Sequence, residues 1–592
     1  MNNALQEYKS RLQQQQERIR KLSRIDSLLS TSRGILFVIF VLLFFYIFNS
    51  GGAYLWIALP AILFAIAVVV HERIIDRKNL ALRIASFYER GLARLENRWM
   101  GQGTQGAQFQ DATHPYSEDL DLFGPGSLFE LLCTARTQSG EQILADWLKK
   151  RAGRKEIPER QSAVQDLRTR LDFRQDLASQ GTDVRNRMRP DALIHWAEKA
   201  PVPFAKGLRA ATSLSVLLTL LTLYGWAQFG WGWNPFVVVT ILQILLLRHL
   251  GNRVIQITSG AEGAHQELKL LSLLLERIEQ ESFQSRHLQH LQQEMRSEGI
   301  VPSGQIRKMG ILLELLDWQR NQLFAPLAIL LLWQAHLAFA LEGWRKRYGK
   351  KIRLWIQSVG EIEALSSFGC YSYEHPEDPF PDVVEETCYE GTDLGHPLIP
   401  ENQCIRNSIE LNLQKRLKIV SGSNMSGKST FLRTIGVNAV LALAGAPVRA
   451  KSLRLSRLSL GASIHILDSL QTGSSRFYAE ITRLRQIMDL AQKEPPLLFL
   501  LDEILHGTNS ADRLIGAEAI VRGFLQRNAI GLLTTHDLAL TNIAEKLSPI
   551  AENIHFQDHI EDGRIAFDYR VHPGVVKKSN AIALMRAVGL EV

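Results

Sequence analysis

The sequence predicts an α + α/β chain, with helical membrane hairpins and an all-α core ahead of a carboxy-terminal α/β domain. Three observations predict it. Two pairs of long apolar runs, each joined by a short turn, lie before residue 250. Charged and apolar residues alternate at helical spacing around them. Beyond residue 376, short apolar runs alternate with helices around one glycine-rich loop. At 592 residues the chain is long enough for several domains and a large core.

Residues 1–32 form the first element, a helix. Leu5, Tyr8, Leu12, Ile19 and Leu22 recur at spacings of three, four or seven in a Gln- and Arg-rich stretch. That stripe suits a short coiled coil or an interfacial helix. Residues 33–71 hold the first hairpin, Ile35 to Phe48 and Ala53 to Val70, joined by Asn49-Ser50-Gly51-Gly52. Runs of this length read as a transmembrane hairpin, although the first is short against the roughly 20 residues of a full span. A buried core hairpin is the alternative. Lys21, Arg24 and Arg33 before it, and Arg73, Arg77 and Lys78 after it, place both ends in the cytoplasm. No secretory signal precedes the first apolar run, because a long polar helix comes before it. Residues 72–100 continue as a charged helix able to pair with the amino-terminal arm, and 101–125 read as a polar linker.

Residues 126–375 form the helical core, interrupted by a second hairpin at 210–248. Its runs, Ala210 to Phe229 and Pro235 to Leu247, turn at Trp226, Trp231 and Trp233 and stand on Lys206, Arg209, Arg248 and Arg253. Aromatic residues at one end and cations at the other suit a hairpin anchored at both interfaces. Four spans keep the amino terminus, the core and the carboxy-terminal domain in the cytoplasm, against the inner membrane. A fifth apolar run, Leu323 to Leu341, would make the number odd and carry the last domain outside. Pro326, Gln334 and His336 interrupt it, which assigns it to the soluble core or to a helix lying against the bilayer. Gly251 to Arg320 reads as continuous, lever-like helix.

The net charge of +8 has a ready source in cations that flank the spans and meet anionic lipid. It is weak ground for nucleic acid. Cys133, Cys370, Cys388 and Cys404 are scattered without metal-ligand spacing, which fits reduced thiols and not a disulfide scaffold.

Residues 376–592 carry the chemistry. Gly422-Ser423-Asn424-Met425-Ser426-Gly427-Lys428-Ser429-Thr430 fits the pattern G-x-x-x-x-G-K-[ST]. A strand, Leu417 to Val420, enters this loop and a helix, Phe431 to Gly445, leaves it. Backbone N–H groups and the positive helix end then face phosphate oxygens. The expectation is a P-loop (ABC-like) α/β ATPase domain that uses ATP and Mg²⁺. Gly422, Asn424, Met425, Gly427, Lys428, Ser429 and Thr430 would hold the phosphates, with Lys428 at the β- and γ-phosphates and the Ser429 hydroxyl on Mg²⁺. About 75 residues downstream, the apolar run from Pro496 ends in Asp502-Glu503. Asp502 would support Mg²⁺, and Glu503 would act as the base that polarises water.

The next apolar run, Ala529 to Leu533, ends in Thr534-Thr535-His536, which places His536 within reach of a γ-phosphate. Ser474 and Ser475 open a helix running to Lys493. Their plain role is to cap it; their functional role would be to meet the γ-phosphate of a neighbouring subunit. His506 to Asp512 forms a loop able to couple two such sites.

The order of these motifs resembles the MutS family. SGSNMSGKST is similar to its Walker A segment, LLDEILHGTNSADR to its Walker B segment and following loop, and TTH to its switch histidine. Gly395-His396-Pro397-Leu398 resembles the start of its ATPase domain, and Lys578 to Ala583 a segment near its end. Upstream, Ser127 to Glu130, Thr134 to Thr137, Gly140, Ala145 to Leu148 and Ile157 to Gln161 resemble its helical core. The resemblance implies a homodimer joined through ATPase domains, hydrolysis at composite sites, and DNA binding of the mismatch-repair kind. Departures accompany it. The amino-terminal mismatch-reading domain of the family is replaced by hairpin and charged helix. Phe87-Tyr88-Glu89 mimics the family's Phe-x-Glu wedge and reads as chance.

Two functions remain open on these grounds. One is a membrane-anchored ATPase acting on DNA. The other is an ATP-driven conformational module acting on membrane or protein partners without DNA. An ABC transporter fits less well, since no LSGGQ-type signature lies between the Walker segments.

Overall fold

An apolar stripe on a charged helix is stable only against a matching stripe, and the amino-terminal quarter of the chain meets that demand with two long helices. The structure, a computed structural model, describes residues 3–50, 55–180, 190–205, 207–259, 265–296, 299–322, 324–423, 425–464, 476–561 and 564–576. Helix α1 (Asn3–Ser50) and helix α2 (Leu55–Leu95) pack along one another. The expected arm, first span and charged helix are therefore two unbroken rods and not three pieces. Between Ser30 and Ile35 there is no proline and a single glycine, Gly34, whose cost of about 1 kcal/mol does not stop the helix running from the polar arm into the apolar run. Side chains of that run face outward, with Phe37, Leu42, Phe45 and Phe48 all exposed.

At its foot the α1–α2 pair is bonded to the rest of the protein. Tyr8, Phe87 and Tyr88 are buried together, so the Phe-Tyr-Glu segment is core packing. Arg94 donates to Glu374 through Nε at 2.7 Å and Nη2 at 2.6 Å, and the Tyr8 hydroxyl donates to Glu374 at 3.2 Å. Burial pushes the Glu374 carboxyl up, but Arg94 outweighs it and holds the group below the ordinary carboxylate range. Removing one partner of a buried pair strands the other. Glu374→Ala is therefore expected to lower stability by about 3–5 kcal/mol in denaturant titrations of the detergent-solubilised protein. A loss under about 1 kcal/mol would show that the foot is not anchored here.

The helical core follows: α3 (Leu128–Leu132), α4 (Gln138–Lys149), α5 (Glu156–Arg168), α6 (Leu171–Ser179) and α7 (Pro190–Glu198). Then come α8 (Leu208–Phe229), α9 (Asn234–Thr258), α10 (His265–Gln280), α11 (Arg286–Met295) and α12 (Pro302–Trp318). It ends with α13 (Ala325–Leu330), α14 (Trp333–Tyr348) and α15 (Ile352–Glu374). Nearly every side chain of α15 is buried, and α4, α5, α10 and α11 pack around it. Glu363 of α15 accepts from Arg136 N at 2.8 Å and Thr137 N at 3.3 Å, while Thr137 Oγ1 accepts from Gly140 N at 3.0 Å. These bonds cap α4. A Cβ on Gly140 would stand 2.6 Å from Glu363, which explains a glycine one turn into a helix.

Two expectations are corrected here. The stretch from Gly251 to Arg320 is not one lever: α9, α10, α11 and α12 are separate, and α10 packs against α12. Leu268, Leu271 and Leu275 on α10, and Ile306, Met309 and Leu313 on α12, can bury one another only if the chain doubles back. The apolar run over Leu323 to Leu341, read as interrupted, is divided between α13 and α14 at Leu332, whose φ is 46°, with Leu323 itself outside the described residues. Residues 101–125 are not a slack linker. Phe109, Tyr116, Leu120, Leu122 and Phe123 are buried, and Asp119 takes bonds from Ile464 N at 2.7 Å and Arg483 Nη2 at 3.1 Å. This segment clasps the helical core to the α/β domain.

Among the described residues four helices, α1, α2, α8 and α9, are long and apolar enough to cross a membrane by length and composition. Lys206, one of the cations expected at the base of the second hairpin, lies outside the described residues.

The α/β part has strands β1 (Asp382–Val384), β2 (Cys388–Leu394), β3 (Asn407–Asn412), β4 (Leu417–Ser421) and β5 (Ser452–Ser456). Beyond these lie β6 (Ser459–Ser463), β7 (Leu497–Asp502), β8 (Ile530–Thr535), β9 (Ala551–Glu561) and β10 (Arg564–Pro573). Helices α16 (Lys428–Ala444), α17 (Arg476–Leu490), α18 (Ser510–Leu525) and α19 (Asn542–Lys546) connect them. One sheet has the order β1-β5-β2-β3, the other β10-β9-β4-β8-β7-β6. Strands β9, β4, β8, β7 and β6 run parallel. Parallel strands are covered on both faces, which is why β4, β7 and β8 read as unbroken apolar runs.

Candidate functional site

The carboxyl ends of β4, β7 and β8 lie side by side, with Ser421 in register with Thr535 and Asp502 with Thr534. Ligands of open parallel sheets bind at such an edge. From β4 the chain passes through the glycine-rich loop directly into α16, which starts at Lys428, three residues earlier than expected. Gly427 precedes it at φ 98°, a left-handed conformation that a side chain would strain. A cleft of about 660 Å³ opens over this edge. Gly427, Lys428, Ser429 and Thr430 line it together with Asp502, Glu503, Phe556 and Tyr569. Met425 also lines it, at φ 71° and largely exposed. Gly422 sits at the loop's first position, while Asn424, Ser474 and Ser475 lie outside the described residues.

The loop that borders the cleft holds unpaired donors. The buried hydroxyls of Ser423 and Ser426 have no hydrogen-bond partner, and buried polar atoms rarely go unpaired without a missing ligand. Lys428 is almost fully buried, with Nζ donating to Gly422 O at 2.9 Å and Ser423 O at 2.8 Å. The same ammonium stands 3.3 Å from Glu503. Phosphate oxygens are the natural replacement for those carbonyls.

Glu503 is held from several sides. His536 Nδ1 lies 3.2 Å from Oε1 and His506 Nε2 lies 3.0 Å from Oε2. The two imidazoles stack with centroids 4.9 Å apart and planes at 17°. Half-burial pushes the Glu503 carboxyl up; Lys428 and His536 outweigh it and leave the group below the ordinary carboxylate range. An ionised carboxylate is what a general base needs. Its backbone is left-handed at φ 46°, with N donating to Thr534 O at 3.2 Å. Strain of this kind concentrates at functional sites.

The structure thus brings Lys428, Ser429, Thr430, Asp502, Glu503 and His536 to one cleft. It also places residues that sequence reasoning had not assigned. Thr534 Oγ1 bonds Asp502 Oδ1 and fixes that carboxylate. His506, expected only as the start of a coupling loop, faces Glu503, and the i, i+3 spacing within DEILH was the sign of that contact. Phe556 and Tyr569 reach the cleft from β9 and β10, far along the chain, where no local pattern marks them. His396 of the Gly-His-Pro-Leu segment is buried and accepts from Leu398 N at 3.3 Å. Burial, helped by Arg433, pushes its imidazolium down to about 4, so it is a neutral structural group.

Residues 418–591 match the family model for MutS domain V. Over that stretch the chain carries a MutS-type domain V. It is similar to the DNA mismatch repair protein MutS of an Exiguobacterium species, 31% identical over 243 residues, covering 40% of this chain and 28% of that protein. It is similar also to the DNA mismatch repair protein MutS 2 of Halobacterium salinarum, 32% identical over 244 residues, covering 40% of this chain and 27% of that one. A MutS 2 of Haloarcula marismortui is 36% identical over 185 residues, 30% of this chain and 19% of its own. The chain thus spans less than a third of the length of these MutS relatives.

Proposed function

We propose that the protein is a membrane-anchored MutS-family ATPase whose hydrolysis cycle changes the shape of its helical core, with DNA as its partner. The observation that carries the ATPase reading is the cleft itself, which Lys428, Ser429, Asp502 and Glu503 line together. Ser429 and Asp502 fit a magnesium ion, being the hydroxyl and carboxylate that a hard cation prefers. Magnesium there would neutralise charge developing on the phosphates. Glu503, His506 and His536 also offer ligand atoms within 4.8 Å of one another, but the Lys428 ammonium beside Glu503 disfavours a cation at that spot.

In the reading proposed here, Lys428 exchanges Gly422 O, Ser423 O and Glu503 for the phosphates. That exchange frees the Glu503 carboxylate to polarise water, with His536 beside it. A contiguous chain of contacts leads from there to the hairpin. Asn438 of α16 accepts from Arg449 N at 2.8 Å, and Arg449 Nη1 meets His375 at 3.1 Å. Tyr371 of α15 bonds Asp378 at 2.9 Å, and Asp378 lies 3.7 Å from Arg449. One turn along α15, Glu374 receives Arg94 and Tyr8.

Sharing of sites between chains has a direct test. If Ser475 serves the neighbouring subunit in a homodimer, Lys428→Ala and Ser475→Ala proteins should each be inactive alone and recover a fraction of turnover when mixed. Absence of recovery would assign both residues to one chain's site.

A second reading dispenses with DNA. The direct bonding of the hairpin foot to α15 favours it, because it supplies a route to a membrane or protein partner. Binding to duplex or branched DNA separates the two. Phosphate contacts give a steep salt dependence, and loss of affinity between about 50 and 200 mM salt should reach about a thousandfold or more if six or more contacts form. No binding at the lowest salt would leave only the second reading.

A further inference from the structure

The second hairpin has a polar seam that fixes the height of a neighbouring segment. Thr212, Thr219, Thr222 and Gln243 are buried between α8, α9 and their neighbours. Gln243 Nε2 donates to Thr219 Oγ1 at 2.8 Å and lies 3.4 Å from the carbonyl of Leu330, at the end of α13. Gln243 is five residues from Arg248 along α9, and Thr219 is ten residues from Arg209 along α8. At 1.5 Å per residue, the Leu330 carbonyl therefore sits about 7 to 15 Å beyond the cations at the hairpin's base.

A second ruler agrees. The Arg209 guanidinium stands 5.9 Å from the ring of Phe339, at the level of the base. Helix α14 rises from Phe339 back to Trp333 over six residues, about 9 Å. Residues 324–332 thus form a knuckle displaced from the base toward the tryptophan tip.

The knuckle has the surface chemistry of that depth. Leu327 and Ile329 are 48% and 65% exposed, like Ile241 and Leu245 on α9 at 52% and 58%. Its backbone is paired, with Ala328 N on Phe324 O, Leu331 N on Leu327 O and Leu332 N on Ile329 O. Irregular backbone at membrane depth is tolerated only when so satisfied. Phe324 packs edge to face on Trp318 and on Trp333, and Trp333 Nε1 donates to Leu315 O at 2.7 Å. Tryptophans of this kind collect at the interface.

We propose that residues 324–332 are a re-entrant element that buries Leu327 and Ile329 in the acyl chains of the leaflet facing the helical core. Its occupant is lipid, and the inference rests on the reading of α8 and α9 as spans. It makes the lipid surface a direct partner of the core, because α14 continues from the knuckle toward α15.

The test is nitroxide accessibility at Ile329→Cys and, separately, Leu327→Cys, in the full chain carrying Cys404→Ser. The other cysteines, Cys133, Cys370 and Cys388, are buried. The protein is reconstituted in phosphatidylethanolamine–phosphatidylglycerol vesicles, with Leu245→Cys as the span control and Lys150→Cys as the aqueous control. Oxygen accessibility should exceed that of a water-soluble nickel chelate several-fold at 327, 329 and 245, with the reverse at 150. Nickel access at 327 and 329 with 245 in lipid would overturn this inference alone. Low access to both reagents there would mean a protein cover, such as a second copy, and would overturn it equally. Nickel access at 245 would overturn the membrane reading and this inference together.

Discussion

Glu503→Gln protein is expected to bind nucleotide as the unsubstituted protein does and to turn it over about 10²- to 10⁴-fold more slowly. The amide preserves volume, and its single oxygen can still accept from one of the two imidazoles that hold the carboxylate, His506 at 3.0 Å or His536 at 3.2 Å. It cannot take a proton from water. Binding depends on other groups, so kcat should fall with little change in affinity, the pattern of an interaction made in the transition state. The substituted protein should also accumulate in its nucleotide-bound form. Single-turnover kinetics and equilibrium binding, measured side by side, check both halves. Turnover within about threefold of the unsubstituted protein would assign the base elsewhere.

Lys428→Ala is expected to weaken nucleotide binding by at least about thirtyfold, since roughly 2–5 kcal/mol is lost when a buried charge pair loses one partner. Lys428 Nζ holds the loop at the Ser423 carbonyl, 2.8 Å away, and stands 3.3 Å from Glu503. Taking it away leaves the loop carbonyls of Gly422 and Ser423 without their donor and removes the charge that offsets phosphate. A matched control is Arg485→Ala: that residue is exposed on α17 and pairs with Asp489 at 3.0 Å, away from the cleft. Its binding should be unchanged. Equal weakening in both proteins would point to general destabilisation.

Where local chemistry dictates structure, the residues announced themselves. Leu417 to Ser421 and the loop after it are legible because an apolar strand, a glycine turn and a helix must follow one another within a few residues. Asp502 and Glu503 are legible because acids at the end of an apolar run have few plain explanations. What escaped depends on distance in the chain. Phe556 and Tyr569 join the cleft from strands whose place in the sheet no local pattern sets. The clasp at 101–125 looked slack because its five buried apolar residues are spaced without period. The lever expected over Gly251 to Arg320 failed because helical periodicity does not say which two stripes meet. Leu268 and Ile306 are core only once α10 and α12 fold back on one another. His506 was visible in the sequence, but its partner at i−3 became meaningful only when Glu503 was seen to turn toward it.

The central claim is that the loop from Gly422 to Thr430 grips a magnesium–triphosphate. Titration of the full-length protein in vesicles with a fluorescent ATP analogue, with magnesium and then with excess chelator, tests it most directly. Saturable binding of one nucleotide per chain, weakened by magnesium removal and lost in the Lys428→Ala protein, is the predicted result. No saturable binding, or binding that Lys428→Ala leaves intact, would contradict it.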